Sequence, residues 1–413
     1  MKAALLTVGT EILFGQVVNT NAAYLSQELN KLGIDVMYHY TVGDNPQRMK
    51  DMIRLAFTDC DMVITTGGLG PTEDDLTKEM VCEVLGDELI LSQEMVDFLD
   101  EFEKTYGRKI PRNNYKQAWV PSRGTIFMNN AGTAPGFALE RDGKIAICLP
   151  GPPRELKYVF SNKVVPYLQS LSEDCIYYRQ VRCFGIGESE LETKLLPLID
   201  VQTDPTIATY AKEGECAFRV ASKRKTLEEA QAAVDEMCEK CAEYVGEWIY
   251  SYDDEEYYQL LAKTLIDKNI SLSAAETITG GLFGKTLTDV PGISKVFNRS
   301  IVAYSNESKY ELLGVKEETL AEYGAVSEQV AVEMAEGLAE ATGSDICVAS
   351  TGIAGPDGGT DEKPVGLMYI AVTCNGKTDV RRVIAKHSIR QVVKNSAMLN
   401  MIDMVYKAVT KMV

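Results

Sequence analysis

The stretch TTGGLGPTEDDLT, residues 65–77, places glycines directly after the apolar strand DMVI and two aspartates directly after the glycines. Glycine lets a backbone approach a phosphate because it has no Cβ. A P-loop would continue with Gly-Lys-Ser/Thr, and here carboxylates stand where that lysine would be. Asp74 and Asp75 can hold a hard divalent cation that neutralises the same phosphates. The turn therefore predicts a metal-assisted phosphate site.

Ligands of open α/β sheets bind outside the carboxyl ends of the strands, so other strand ends supply companions. The predicted substrate-binding residues are Thr66, Gly67, Gly68, Gly70, Thr72 and Asn19. The predicted metal ligands are Asp74, Asp75, Glu11, Asp44 and Glu155. A plainer alternative is that Asp74 and Asp75 only cap the helix that follows them. Capping alone does not explain three glycines followed by two acids, so we favour the metal site.

A second set of hydroxyls, a lysine and glycine turns lies in SAAETITGG (273–281), VPGISKVF (290–297), VAYSNESKYELLGV (302–315) and STGIAGPDGGTDEKPVG (350–366). The chain has only two histidines, His39 and His387, so a histidine-based triad in each domain is excluded. Ser294 in a Pro-Gly turn and Lys309 at a helix start form the natural nucleophile–base pair. Such a lysine must be desolvated, with its pKa lowered from ~10.4 towards about 7–8.

The same residues also have ordinary structural interpretations. Ser294 can be a turn residue, Lys309 a solvated helix charge and Thr351 the end of a strand. Spacing alone leaves both interpretations open.

The elements that must position these residues alternate between strand and helix patterns over 1–165 and again over 259–413. This alternation predicts two α/β domains with mainly parallel sheets, joined through a small α+β middle domain. The predicted boundaries are 1–168, 169–251 and 252–413. The acidic run YDDEEYY, 252–258, is interpreted as a linker or as the first turn of the next helix. In the middle domain, Gly-Ile-Gly at 185–187 lacks a GxxG clamp and is interpreted as a turn.

The composition restricts the class of protein. A net charge of −18 over 413 residues argues against direct nucleic-acid binding, which needs a basic face. No apolar stretch approaches the length of a membrane span, and the N-terminus has no signal-peptide pattern. Ten cysteines scattered among apolar residues favour reduced thiols in a cytoplasmic protein. The CxxC pair Cys238 and Cys241 lacks two further ligands nearby, so buried helix cysteines are expected rather than zinc.

Five motifs in the first domain carry a family resemblance. GTEIL, NTN, VGDN, TTGGLGPTEDDLT and LPGPPRE, in this order, resemble the amino-terminal domain of the CinA (competence/damage-inducible) family. That domain is similar in fold to the molybdopterin-binding domains of molybdenum-cofactor biosynthesis. The resemblance covers most of 1–160 and implies hydrolysis of the ADP-ribose pyrophosphate with a divalent metal (Mg, Mn or Co). Molybdopterin binding is an older inference for the same domain.

The second set of motifs resembles the carboxy-terminal CinA domain over nearly all of 259–410. That domain also occurs alone as a nicotinamide-mononucleotide deamidase that needs no cofactor. The resemblance implies an amidase centre of Ser294, Tyr304, Lys309 and Thr351. It also implies substrate contacts from Arg390 and from the glycine turns of Gly280, Gly281, Gly352 and Gly355. The family's AESCTGG is AETITGG here, so Thr277 keeps a catalytic hydroxyl with an added methyl group, and Ile278 replaces a thiol.

Together these patterns predict a bifunctional enzyme of pyridine-nucleotide salvage. Its partners would be nicotinamide mononucleotide, ADP-ribose and a second copy of the chain in a homodimer, with no direct nucleic acid and no membrane. One alternative is a binding module that holds a pterin or nucleotide in the first domain without turnover. Another is a competence-associated interaction protein that acts through recombination-protein partners.

Overall fold

The computed structural model describes residues 1–107, 109–171, 175–212 and 214–412. Their contacts group the chain into two compact units. The first comprises Met1–Tyr177 with Lys223–Gln231, and the second comprises Tyr178–Ser222 with Ala232–Val413.

The first unit is built on a six-stranded sheet in the order β2-β1-β3-β8-β7-β6. Strands β2, β1, β3 and β8 are parallel, and β7 and β6 extend the sheet antiparallel. The strands are β1 Lys2–Val8, β2 Asp35–Val42, β3 Met62–Thr66, β4 Leu89–Leu91, β5 Trp119–Pro121, β6 Thr125–Phe127, β7 Gly136–Arg141 and β8 Lys144–Leu149, with β4 and β5 forming a separate pair.

Helices cover both faces of this sheet. Consecutive strand residues point to opposite faces, and their side chains belong to two different buried clusters. Leu5 and Ile64 belong to one buried cluster, whereas Leu6 and Val63 belong to the other. The helices are α1 Thr10–Leu13, α2 Thr20–Lys31, α3 Pro46–Asp59, α4 Thr77–Leu85, α5 Gln93–Tyr106, α6 Pro153–Val159 and α7 Val165–Ser170, with a 3₁₀ helix at Arg112–Ala118 and a π-helical turn at Phe160–Val164.

The middle part of the chain forms a four-stranded sheet in the order β10-β11-β9-β12, which is the α+β pattern expected from the sequence. Its elements are β9 Cys175–Cys183, α8 Glu188–Ile199, β10 Thr206–Lys212, β11 Glu215–Arg224, α9 Leu227–Val245, a 3₁₀ turn Gly246–Trp248 and β12 Ile249–Ser251. Cys238 and Cys241 are buried on α9, as expected for core thiols.

The carboxy-terminal α/β fold has a five-stranded sheet in the order β14-β13-β15-β16-β17. Strands β14, β13 and β15 are parallel, and β16 and β17 are antiparallel additions. The strands are β13 Leu272–Glu276, β14 Phe297–Val302, β15 Ile346–Gly352, β16 Leu367–Cys374 and β17 Lys377–Ile384. The helices are α10 Tyr257–Lys268, α11 Leu282–Thr288, α12 Asn306–Leu313, α13 Glu317–Tyr323, α14 Glu328–Thr342 and α15 Arg390–Lys411, with a 3₁₀ turn at Ile293–Lys295.

Of the two interpretations of the acidic run at 252–258, the start of the next helix is the one that the structure supports. Glu256 and Gln259 form a capping box, and α10 begins at Tyr257. The residues before it are not a solvated linker, because Arg182 donates to Asp254 at 2.8 and 2.6 Å. Tyr250 also stacks on Tyr257 with ring centroids 4.2 Å apart. These contacts explain why the middle sheet and the carboxy-terminal fold form one compact unit. Among the residues that the structure describes, no helix is both long and apolar enough to span a membrane.

Candidate active sites

The carboxyl ends of β1, β3 and β8 surround a cavity of about 610 Å³ in the first unit. The glycine turn 67–70 forms part of its wall, together with Asn19 and all the carboxylates predicted as metal ligands, namely Glu11, Asp44, Asp74, Asp75 and Glu155. The sequence thus identified the strand ends that meet at one pocket.

The glycine turn needs its glycines for close packing. Gly67 and Gly68 have φ angles of +94° and +68°, in the left-handed region that side chains rarely adopt. A Cβ on Gly67 would lie 2.4 Å from the Val8 carbonyl oxygen. Thr77 Oγ1 then donates to the Gly67 carbonyl at 2.9 Å and fixes the turn on the first residue of α4.

Thr72 holds both aspartates of the motif. Its backbone N–H and hydroxyl donate to Asp75 Oδ2 at 2.9 and 2.5 Å, and its hydroxyl also contacts Asp74 Oδ1. The Thr72 hydrogen bond lowers the pKa of Asp74 and keeps it ionised. The N-cap of α4 is Leu76, which makes no side-chain cap hydrogen bond. The helix-capping alternative for Asp74 and Asp75 is therefore wrong.

The other predicted ligands of this pocket are held by local partners. Asp44 accepts from Thr10 Oγ1 at 2.7 Å, and Glu155 accepts from Asn129 Nδ2 at 2.6 Å. Burial raises the pKa of Glu155. Asn19 Nδ2 donates to Thr7 Oγ1 at 2.9 Å, while its Oδ1 caps α2.

The carboxylates line the pocket without forming a metal cage. Within the described residues, no three Asp, Glu, His or Cys side chains gather in a way that could hold a metal ion. Mg²⁺ in nucleotide sites is often held by one or two carboxylates and completed by substrate phosphates and water. The adjacent carboxylates of Asp74 and Asp75 fit such an open site, whereas Glu11, Asp44 and Glu155 are not gathered around them.

Buried polar atoms without partners mark the ligand side of the cavity. Asn21 Oδ1, Thr66 Oγ1 and Gln117 Oε1 are buried and accept or donate no hydrogen bond within the described structure. All three residues line the cavity. Buried polar groups are nearly always paired, so a polar ligand is the expected partner. Sequence reasoning missed Gln117, because it reaches the pocket from a 3₁₀ helix with no motif of its own.

Two lysines brace this 3₁₀ helix against the glycine turn. Lys116 Nζ donates to the carbonyls of Thr72 and Asp75 at 2.8 and 2.6 Å. Lys78 is buried and donates to the Lys116 and Trp119 carbonyls, and burial lowers its pKa to about 8. A lysine does stand near the acidic loop, but its position was not visible in the sequence.

In the second unit, the predicted hydroxyl and lysine residues meet around the segment that follows β14. Thr277 Oγ1 donates to the Ala303 carbonyl at 3.0 Å. Lys309 Nζ donates to the next two carbonyls, Tyr304 at 3.2 Å and Ser305 at 3.4 Å. Lys309 is only 1% exposed, and burial lowers its pKa. The solvated-charge interpretation of Lys309 is therefore wrong.

Tyr304 and Arg390 belong to the same group of residues. Arg390 donates from Nη1 to the Gly355 carbonyl at 2.7 Å and from Nη2 to the Tyr304 hydroxyl at 3.4 Å. Thr351 lies at the end of β15 and donates to the Ala325 carbonyl at 2.7 Å. The hydrogen bonds thus connect Arg390 with both the Tyr304 segment and the glycine turn of Gly355.

The glycine turns place backbone at this end of the sheet. Gly280, Gly281 and Gly355 have positive φ angles of +61°, +92° and +79°. Gly352 is required by packing, since a Cβ there would lie 2.7 Å from the Leu367 carbonyl oxygen. A Cβ on Gly280 would lie 3.6 Å from Lys394 Nζ, so a further amine borders this turn.

Ser294 is not part of this group. It lies in the 3₁₀ turn before β14, where Gly292 is next to Ile266 of α10 and the Val296 carbonyl accepts from the first residue of β13. Lys309 follows the other end of the same strand. The expectation that Ser294 and Lys309 form a pair is therefore not met within one chain.

Sequence reasoning also missed three buried polar residues on the α11–α15 side of the sheet. Glu276 is fully buried and accepts from the Phe283 and Gly284 N–H groups and from Ser300 Oγ. Thr279 Oγ1 and Ser350 Oγ are buried without a hydrogen-bond partner in the described structure. Glu276 and Thr279 lie in the AETITGG motif, so their position was visible but their burial was not.

Three family models match consecutive parts of the chain. They are the probable molybdopterin binding domain over 4–170, the damage-inducible protein CinA KH domain over 178–251 and the CinA C-terminal domain over 254–409. The middle match is to a KH domain, although Gly185–Gly187 lacks the GxxG loop.

Relatives match over most or all of the chain. A "Putative competence-damage inducible protein" of Acetivibrio thermocellus is 50% identical over 412 residues and covers 100% of both chains. A "CinA-like protein" of Dictyoglomus turgidum is 46% identical and covers 93% of both chains. The crystal structure of competence/damage inducible protein CihA from Agrobacterium tumefaciens is 35% identical and covers 37% of this chain and 96% of its own, with a TM-score of 0.36. On its domain matches and on the Acetivibrio thermocellus and Dictyoglomus turgidum relatives, the chain belongs to the CinA family.

Proposed function

We propose that this CinA-family chain is a bifunctional enzyme of pyridine-nucleotide salvage. The second unit deamidates nicotinamide mononucleotide to nicotinate mononucleotide and ammonia. The first unit hydrolyses the pyrophosphate of ADP-ribose with a divalent metal.

One observation carries the deamidase proposal: Lys309 is buried, has a lowered pKa and bonds only to backbone carbonyls in the described structure. A desolvated amine of this kind is suited to accept a proton from an attacking hydroxyl. The oxygen of the attacking enzyme hydroxyl bonds to the amide carbon of nicotinamide mononucleotide. The amide nitrogen takes up the proton and leaves as ammonia. Water then hydrolyses the acyl-enzyme. Arg390 supplies a guanidinium at the rim of the site for the nucleotide phosphate.

The pyrophosphatase proposal is supported by the buried side-chain oxygens of Asn21, Thr66 and Gln117, which have no hydrogen-bond partner in the described structure and line a cavity that also contains carboxylates. The polar groups would bind and orient the nucleotide, and the glycine turn would bring backbone N–H groups close to its phosphates. Asp74 and Asp75 would hold the divalent metal, which supplies charge neutralisation for the pyrophosphate when bound.

Product identification tests both halves of the proposal. The purified protein is incubated separately with nicotinamide mononucleotide and with ADP-ribose, with divalent metal or with a chelator, and the products are separated by chromatography. We expect ammonia and nicotinate mononucleotide with or without metal. We expect AMP and ribose 5-phosphate only with metal. Binding of ADP-ribose without products would instead support the binding-module alternative.

A further inference from the structure

The structure leaves the proposed deamidase site without its serine. Ser294 precedes β14, and Lys309 follows it at the opposite end. A strand of six residues is about 20 Å long. A nucleophile and its base must come within roughly 3 Å of each other. One chain therefore cannot bring Ser294 and Lys309 to the same substrate without refolding around the strand.

Strand β14, which separates Ser294 from Lys309, has a free edge. Among the described strands, it is the terminal strand of its sheet and pairs with β13 alone. Such an edge presents backbone N–H and C=O groups that a further strand can use. Large apolar side chains lie exposed at its carboxyl end and on α12: Val302 is 46% exposed, Tyr304 63%, Tyr310 51% and Leu312 50%. This end of the strand has the composition of a contact surface.

The charges along the same edge are segregated by sign. Lys295 and Arg299 are exposed near the start of β14, whereas Glu307 and Glu311 are exposed on α12 beyond its end. None of these four makes an ion pair within the described chain. An antiparallel neighbour would bring the basic end of each copy to the acidic end of the other. A parallel neighbour would set like charges against each other.

We propose that a second copy of this chain docks antiparallel along the free edge of β14, so that Ser294 of each copy completes the Lys309 site of the other. This inference rests on the deamidase activity proposed above. The contact is isologous, so one interface forms two equivalent sites. The two-fold contact uses the β14 edge of each copy, so the assembly is closed at two chains.

The chemistry of the shared site balances within the dimer. Ser294 Oγ of one copy bonds to the amide carbon while its proton passes to Lys309 Nζ of the other copy. The C–N bond breaks, the nitrogen takes up that proton and ammonia leaves. Water hydrolyses the ester on Ser294 and restores both side chains.

Mixed dimers test the arrangement directly. Two differently tagged chains are co-expressed, and dimers that carry both tags are purified. A dimer of one Ser294→Ala chain and one Lys309→Met chain retains one intact shared site, so we expect about half of wild-type deamidation. Each single-variant homodimer should fall by roughly 10³-fold or more. Circular dichroism confirms that each variant is folded.

The matched control joins the two changes in one chain. A dimer of the double variant with a wild-type chain has one defect in each shared site and should be as inactive as the homodimers. If both residues acted within one chain, the results would be reversed: this control would keep half of the activity and the first mixture would have none. That reversal, a monomeric protein, or full activity of the Ser294→Ala homodimer overturns the proposal.

A crosslinking experiment separates the geometry from the activity. Chains with Ser294→Cys and chains with Tyr304→Cys are mixed by co-expression and treated with a short bismaleimide. We expect a covalent dimer from the mixture and none from either variant alone, because like positions lie at opposite ends of the paired strands. A crosslink together with no deamidation by the wild-type protein refutes the proposed function and leaves the dimer standing. The absence of a crosslink refutes the dimer whatever the activity.

Discussion

At the scale of single residues, Lys309 lies in an environment unlike that of an ordinary surface lysine. A lysine on a surface helix stays protonated far above neutral pH, but this one is buried against two carbonyls and its pKa is lowered. Burial disfavours the charged form because the low-dielectric surroundings cannot replace its hydration. The residue that sequence spacing could equally assign to solvent is therefore buried, and its lowered pKa favours the neutral amine that the proposed general base requires.

We expect the deamidation rate to fall as the pH is lowered through the pKa of Lys309. The neutral amine is the active form, and protonation removes its capacity to accept the serine proton. Because the pKa is lowered, this acid limb should lie below the ~10.4 of an ordinary lysine. The pH dependence of kcat/KM measures it. Lys309→Met should abolish both the activity and the limb, whereas Lys316→Met, which changes an exposed lysine nearby, should preserve both.

Asp75 allows a similar comparison in the first unit. Asp75→Asn should abolish metal-dependent hydrolysis of ADP-ribose, because it removes a carboxylate ligand. Stability should change by no more than ~1 kcal/mol, since the amide oxygen still accepts from Thr72. Activity is measured as AMP release and stability by urea unfolding. Glu73→Gln is the matched control in the same turn, because Glu73 is exposed and should be dispensable. Equal losses for both variants would point to a general charge effect rather than a ligand.

At the scale of elements, the glycine turn after β3 shows what the sequence predicts and what it does not. The strand and the turn are local structures, so residue types and spacing predict them. The Thr72–Asp75 contacts are local as well, because they join residues three positions apart. Gln117 lines the pocket and Lys116 donates to the Thr72 and Asp75 carbonyls of the turn, although both lie more than forty residues further along the chain. Only the packed fold brings them there. Ser294 shows the converse: its motif is recognisable in the sequence, but the structure places it at the end of β14 opposite to Lys309. That placement depends on the direction of the strand in the sheet.

The turn itself should be intolerant of side chains. Gly67→Ala adds the cost of a left-handed φ to a contact 2.4 Å from the Val8 carbonyl oxygen. Gly143→Ala is the matched control, because Gly143 has φ +74° with open space around its Cβ position. We expect about 1 kcal/mol of destabilisation for Gly143→Ala and at least 1–3 kcal/mol more for Gly67→Ala, roughly the range of backbone strain. Urea unfolding measures both. Equal losses of unfolding free energy in the two variants would mean that the turn adjusts its backbone, so that close packing against β1 does not constrain it.

At the scale of the whole molecule, the chain matches three family models but forms only two compact units. The KH-like sheet and the carboxy-terminal fold share one unit because the residues between them are fixed from both sides. Arg182 bonds Asp254, and Tyr257 of α10 is enclosed by Tyr250, Phe184 and Tyr406. The composition of the acidic run indicates solvent exposure, but it cannot reveal an arginine on β9 that pairs with it. The sequence boundary at 252 therefore separates two family matches but lies within one compact unit.

This organisation predicts two calorimetric unfolding transitions rather than three. ADP-ribose should raise only the transition of the first unit and nicotinamide mononucleotide only that of the second, because the proposed function assigns each ligand to one native unit. Arg182→Ala removes paired, largely buried hydrogen bonds to Asp254 and should cost about 1–2 kcal/mol, allowing for the partial exposure of the carboxylate. The second transition should then fall by roughly 2–8 °C. Arg54→Ala, which breaks an exposed ion pair in the first unit, should move neither transition appreciably. A third transition that alone responds to Arg182→Ala would show that the KH-like sheet unfolds independently, and that its contacts with α10 do not make one cooperative unit.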